Sequence, residues 1–226
     1  MKKLNREITD PQNLVFIICG LIALATGLYA IICMPAERHV SSLGIFCFKL
    51  LPFIFGAITI ASFKREYCDF LVRTKIALLM VIMAFLIYFG VFVPEIFNAM
   101  QTDNWNELYY TVLMEVAYII LFTTFVFRIA GGTSSSTLRL SFSLLVIMVS
   151  GIEDLMFHLI NKYPIPDLWD WATHIKVRIG HYPTKYEAFA FIILHCILAL
   201  LIIFVPWGKL KPYKWIEAKV KNNFTR

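Results

Sequence analysis

One stretch of the 226-residue chain, Gly151-Ile152-Glu153-Asp154-Leu155-Met156-Phe157-His158, sets two adjacent carboxylates and an imidazole near the end of an apolar run. That run, roughly residues 140 to 160, is long enough to cross a bilayer. A charge at mid-membrane costs about 2.5–3.5 kcal/mol on insertion scales, so ionisable residues there are candidates for function. Asp154 and His158 are four apart, which puts them about 40° apart on one helix face, with Ser150 one turn earlier. Glu153 points about 100° to the side. Two neighbouring carboxylates resist joint ionisation unless cations or strong donors sit beside them. One of the two is expected to be protonated or bound to a metal.

Other polar residues join this stretch once depth is considered. Glu115 and Lys49 each lie about 10 Å from the same end of the bundle, at 1.5 Å per residue. His195 falls near the middle of the last apolar run, and His174 and His181 lie in the connector before it. Asp154, His158, His181 and His195 form a mixed nitrogen and oxygen donor set suited to Zn or Fe. Glu153 or Glu115 would act as general base on a metal-bound water. Arg178, Lys185 and His174 would hold the head of an anionic, lipid-like substrate. A haem bridged by His158 and His195 is disfavoured, because the two differ in depth by about 10 Å. Three other observations weaken the enzyme reading. No H-E-x-x-H or G-x-S-x-G motif occurs. Lys49 can pair with Glu115 or snorkel outward. Glu115 with Thr111 and Tyr118 makes a polar stripe that can simply join helices.

Hydrophobic residues make up 59% of the chain and the mean hydropathy is +0.72, well above a soluble domain. The expected fold is an all-α integral membrane protein, a single polytopic domain with six transmembrane helices. They fall at about 14–34, 43–63, 76–93, 108–127, 138–160 and 186–205. The first run follows a basic start but lacks a small-x-small cleavage pattern, so it reads as an uncleaved helix. Residues 64–75 read as a charged connector, and Pro94 as the stop of the third helix. Of the 21 Lys and Arg residues, 15 fall on the side of the two termini and five in the opposite loops. The positive-inside rule then places both termini in the cytoplasm of a multi-pass cell-membrane protein. It also accounts for the net charge of +6 without nucleic acid, because the basic tail can rest on anionic membrane lipids.

The connector between helices 5 and 6 carries its own pattern. Asp167 can cap a helix over 167–179, with Leu168, Trp171, Ala172, Ile175 and Ile179 at helical spacing and Asp170, His174 and Arg178 opposite. This reads as a short amphipathic interfacial helix, with Trp169 and Trp171 at headgroup level and the segment lying over the site as a lid. Thr184 and Glu187 match a capping box for the sixth helix. Five cysteines form no C-x-x-C pair, and only Cys33 and Cys47 could meet across the first hairpin. Three functions fit the pattern: a metal-dependent membrane enzyme on a lipid or lipid-linked substrate, a proton- or cation-coupled transporter or channel, and a non-enzymatic assembly or receptor module. The sequence leaves the oligomeric state open.

Overall fold

The structure, a computed structural model, describes residues 10–34 and 40–205. The basic tail, the N-terminal lysines and His39 lie outside the described residues. Among the described residues the fold is helical. Helix α1 (Pro11–Cys33) starts at Asp10, whose side chain accepts from the Gln12 amide, with Pro11 in the first turn. Helix α2 (Leu43–Ser62) starts at Ser42, which accepts from the Ile45 amide. The two form a hairpin whose far end is tied by the Lys64–Asp10 ion pair and by the Gln12 side chain donating to Ser62 O at 3.0 Å.

The charged connector folds into a short helix of its own, α3 (Arg65–Arg73), which buries Cys68. The expected third span is divided. It consists of α4 (Ile76–Ile87), a π-helical turn over Tyr88–Phe92, and α5 (Val93–Gln101). Pro94 does not stop the helix. It falls in the first turn of α5, directly after the π turn. Helix α6 (Trp105–Ile129) is capped by Asn104. Its Tyr118 hydroxyl donates to Ala84 O of α4 at 2.9 Å.

The expected fifth span is broken. Helix α7 (Ser134–Met148) and helix α8 (Ile152–Ile160) meet at 58°. Helix α10 (Lys185–Phe204) opens with the anticipated capping box of Thr184 and Glu187. It packs along α7, where the Ser143 hydroxyl donates to Ala199 O at 3.1 Å. Buried Ala57, Ala61, Ala117, Ala188 and Ala199 let the helices approach closely, as membrane helices do. Among the described residues four helices, α1, α2, α6 and α10, are long and apolar enough to cross a membrane, and α7 with α8 makes a fifth.

The connector between α8 and α10 departs most from expectation. Only α9 (Thr173–Ile179) is helical; before it Leu168 bridges to Thr184 and Asp170–Trp171 form a turn. The Trp169 amide donates to Pro183 O and the Lys185 amide to Asp167 O, both at 2.9 Å, so the segment closes on itself as a strap. Asp167 bonds the Lys185 side chain at 2.5 Å and caps no helix. Trp169, Ala172 and Ile175 are wholly buried against Ala188 and Ile192 of α10, whereas Leu168 is 51% exposed. One face of the segment therefore packs into the protein, against α10. The five cysteines are free thiols, Cys33 and Cys47 included.

Candidate functional site

The break between α7 and α8 organises the site. Gly151 has φ +82°, a conformation that glycine adopts without strain. A Cβ at this position would lie 3.2 Å from Nε2 of His174 and 3.2 Å from Cδ1 of Ile175, so the bare backbone also lets α9 come close. Ser150 supplies local hydrogen bonds. Its hydroxyl donates to Ile147 O at 2.7 Å and accepts from the Ile152 amide at 3.1 Å. The carbonyl of Val149 receives a donor from far along the chain, Nη2 of Arg178 at 2.6 Å.

Arg178 is the hub of this end of the molecule. Nε donates to His174 O at 2.7 Å, and Nη1 lies 3.2 Å from Nε2 of His195. His195 Nδ1 lies 2.8 Å from Phe191 O, a pure acceptor, so Nδ1 carries the proton and Nε2 accepts from Arg178. The guanidinium also lies over the rings of Phe46 and Phe191, at 4.9 and 4.4 Å from their centroids. Burial brings its pKa down to about 10, so it stays charged at neutral pH. His174 is pushed down from 6.5 to about 4, first by burial and then by the charge of Arg178 and by His195. It is neutral at physiological pH.

Two cavities flank the break and share a wall of Tyr109, Leu113 and Glu153. The first, about 510 Å³, is lined by α1, α2, the π turn with the start of α5, α6, and the junction of α7, α8 and α9. Gly27, Pro52, Phe53 and Ala117 give it an apolar depth, and Lys49, Glu95, Glu153 and His174 are its ionisable lining. The Tyr110 hydroxyl, also in its wall, is buried without a hydrogen-bond partner. The second cavity, about 530 Å³, lies between α6 and α8 and holds Glu153, Asp154 and His158 with Trp105, Phe157 and Trp171.

The sequence-derived site residues distribute as follows. Asp154 accepts from the Trp171 indole N–H at 3.0 Å, and the His158 ring lies 5.7 Å from that of Trp171, with its Nδ1 buried and unpaired. Glu153 stands between the cavities. His195 and His174 gather on Arg178. His181 bonds Glu187 at 3.1 Å on the exposed start of α10, and Lys185 bonds Asp167 nearby. Glu115 shares a hydrogen bond with Tyr88 and does not line the first cavity, although its neighbours Met114 and Ala117 do. Lys49 makes no ion pair with Glu115; it lines the cavity. Asp154, His158, His181 and His195 are thus not brought together. Among the described residues no three His, Cys, Asp or Glu side chains stand close enough to hold a metal.

Sequence reasoning overlooked the aromatic share of the site. Trp105 and Tyr109 are four apart at the start of α6, and that spacing alone places them on one face. Trp171, expected at headgroup level, also donates its indole N–H to Asp154 and so belongs to the site. Compared with protein-family models, curated proteins and solved structures, the chain matches none.

Proposed function

We propose that the chain is a six-span protein of the cell membrane, with both termini cytoplasmic, that takes a lipid-like amphiphile into the first cavity. The third crossing would be made by α4, the π turn and α5 together. The observation that carries the reading is the polarity of the cavity. Its apolar depth suits a hydrocarbon chain, while Lys49, Glu153, His174 and the unpartnered Tyr110 hydroxyl offer polar partners for a head. A volume of about 510 Å³ falls within the range of about 300–1,000 Å³ common for small-molecule sites. The lining lies toward the end of the bundle that carries α9: the second half of α1, α2 as far as Phe53, the π turn and the start of α5, α6 as far as Tyr118, and the junction of α7, α8 and α9. That one-ended cavity favours binding over conduction.

Chemistry on the bound molecule is an extension of the same reading, with Glu153 as the proton acceptor at the cavity wall. A metal-dependent form, with Zn or Fe on Asp154, His158, His181 and His195, would need these side chains to leave Trp171, Glu187 and Arg178. The test is to purify the full chain in a maltoside detergent and identify retained amphiphiles by mass spectrometry. Near-stoichiometric retention, lowered at least about fivefold in Ala117→Phe and in Lys49→Gln with folding intact, is the expected result. No retained amphiphile, or equal retention in both variants, would overturn the proposal.

A further inference from the structure

We propose that the groove between α3, the start of α4 and the end of α6 holds the phosphate of an anionic membrane lipid, with an acyl chain lying along α6. The groove, about 600 Å³, shares no lining residue with the amphiphile cavity and does not depend on that reading.

The sequence of α3 supplies one wall. Arg65, Asp69, Val72 and Arg73 recur at three- and four-residue spacing, share a face of the helix and line the groove. Helix α2 ends at Ser62 and α3 begins at Arg65, so α3 lies where that apolar helix leaves the membrane. Cys68 is wholly buried and Arg65 Nη1 donates to Ile129 O at 3.3 Å, which fixes α3 against the end of α6. Ala77, Phe125, Val126, Ile129 and Ala130 complete the lining and carry no charge. Phe125 lies about 7 Å further toward the middle of α6 than Ala130, at 1.5 Å per residue, so the apolar wall runs into the hydrocarbon.

The charges at this pole select the head. Asp69, the carboxylate in the lining, already meets Nε of Arg65 at 3.0 Å. Lys64 is paired with Asp10, and Arg128 is engaged by the carbonyls of Phe63 and Gly132. Arg73 makes no ion pair among the described residues and is exposed at the rim of the groove. Glu66 stands seven positions before Arg73, about 10 Å along the helix, and does not line the groove. Across residues 64–75 and 125–132, five Lys and Arg accompany two carboxylates, Glu66 and Asp69, so the local field is positive. A cationic ligand would meet an unpaired guanidinium. A soluble anion would leave the apolar wall unused, and a neutral lipid would leave Arg73 unused. A phosphate joined to an acyl chain uses both, with the fork of Arg73 donating to two phosphate oxygens.

The experiment follows lipid binding to the full chain in a maltoside detergent by native mass spectrometry, with phosphatidylglycerol and phosphatidylcholine of equal acyl chains as competing probes. Phosphatidylglycerol is expected to bind at least about fivefold more tightly. Arg73→Gln should remove that preference at an unchanged melting temperature, because the side chain is exposed. Lys75→Gln removes the same charge two positions away, outside the lining, and should keep the preference. Ala77→Phe, which fills the groove, should weaken phosphatidylglycerol at least about fivefold with folding intact. Glycerol 3-phosphate is the soluble arm and should bind at least about a hundredfold more weakly than the lipid, because it lacks the chain. Binding as tight as the lipid's would assign the groove to a soluble phosphate and overturn the proposal. Equal affinity for the two lipids would overturn it as well. So would a preference that Arg73→Gln and Lys75→Gln lower alike, which belongs to the basic pole as a whole, or one that survives both Arg73→Gln and Ala77→Phe.

Discussion

Arg128 and Arg178 are both largely withdrawn from solvent, and among the described residues neither is paired with a carboxylate, but they are satisfied in different ways. Arg128, at the end of α6, donates only to backbone: to Phe63 O after α2 and to Gly132 O in the turn before α7. It is 5% exposed and lines none of the cavities described above. Arg178 divides its donors between two carbonyls and a neutral histidine, and lies over two aromatic rings. Phe46, Val149 and His174, three of these neighbours, are also walls of the first cavity. The same guanidinium fork thus closes helix ends at one pole and shapes a site at the other. Phe63 O and Val149 O stand at helix C-termini, where carbonyls carry negative partial charge, which helps each place hold a cation without a carboxylate.

Several substitutions would break or sharpen this contrast. Arg128→Ala is expected to have the largest effect, about 3 kcal/mol, because carbonyls in two turns lose charged donors together. Thermal unfolding should register the loss while amphiphile bound per folded molecule stays constant; a fall in binding would erase the distinction between the poles. Arg178→Lys keeps the charge but loses the fork, for about 2 kcal/mol. Here both the melting temperature and the bound amphiphile should fall, and an unaltered ligand content would show that Arg178 only braces the fold.

Acid titration is the third test. The folded pKa of His174, about 4, lies below its ordinary 6.5, so folding favours the neutral ring. Its contribution is complete above pH 6.5 and is lost as pH falls toward 4, at about 1.4 kcal/mol per pH unit. Asp10 and Asp167 are held below the usual carboxylate value by hydrogen bonds from Lys64 and Lys185, so their losses come at still lower pH. Unfolding midpoints from pH 7.5 down to 4.5 should decline in the parent and flatten in His174→Gln; parallel curves would remove His174 from the account. The smallest effect is expected for Gly151→Ala, about 1 kcal/mol, from the positive φ and the contact with His174. Stabilisation by this change would mean that the bend is not a fixed part of the fold.

Much of the helical layout was legible because long apolar runs and capping residues act locally. Ser42, Asn104, Thr133 and Thr184 each bond an amide two or three positions inside their helices, and their short polar side chains announce as much. The break at Val149–Gly151 was hidden, because apolar residues continue through it and hydropathy does not register a change of direction. The strap over 167–185 was misplaced for a related reason. An apolar face at helical spacing says that something covers it, and lipid and protein look alike in that respect. Glu153 was found because a carboxylate in an apolar run is conspicuous. The partners of Arg178 and Glu115 were not, because His195, Val149 and Tyr88 are remote in sequence and only tertiary packing brings them near.

The bond from Arg178 to Val149 O also orders events in time. It joins residues 29 positions apart, and the arginine is the later of the two to leave the ribosome. During insertion the segment containing α7 and α8 meets the bilayer before its distant donor exists. A straight helix bonds its own carbonyls at that stage, whereas a bent one would present Val149 O to hydrocarbon. A straight span would keep Val149 O within its own helix, and the bend is complete only with Arg178 of the strap in place, so the part of the first cavity's wall that Val149 forms depends on a donor 29 positions downstream.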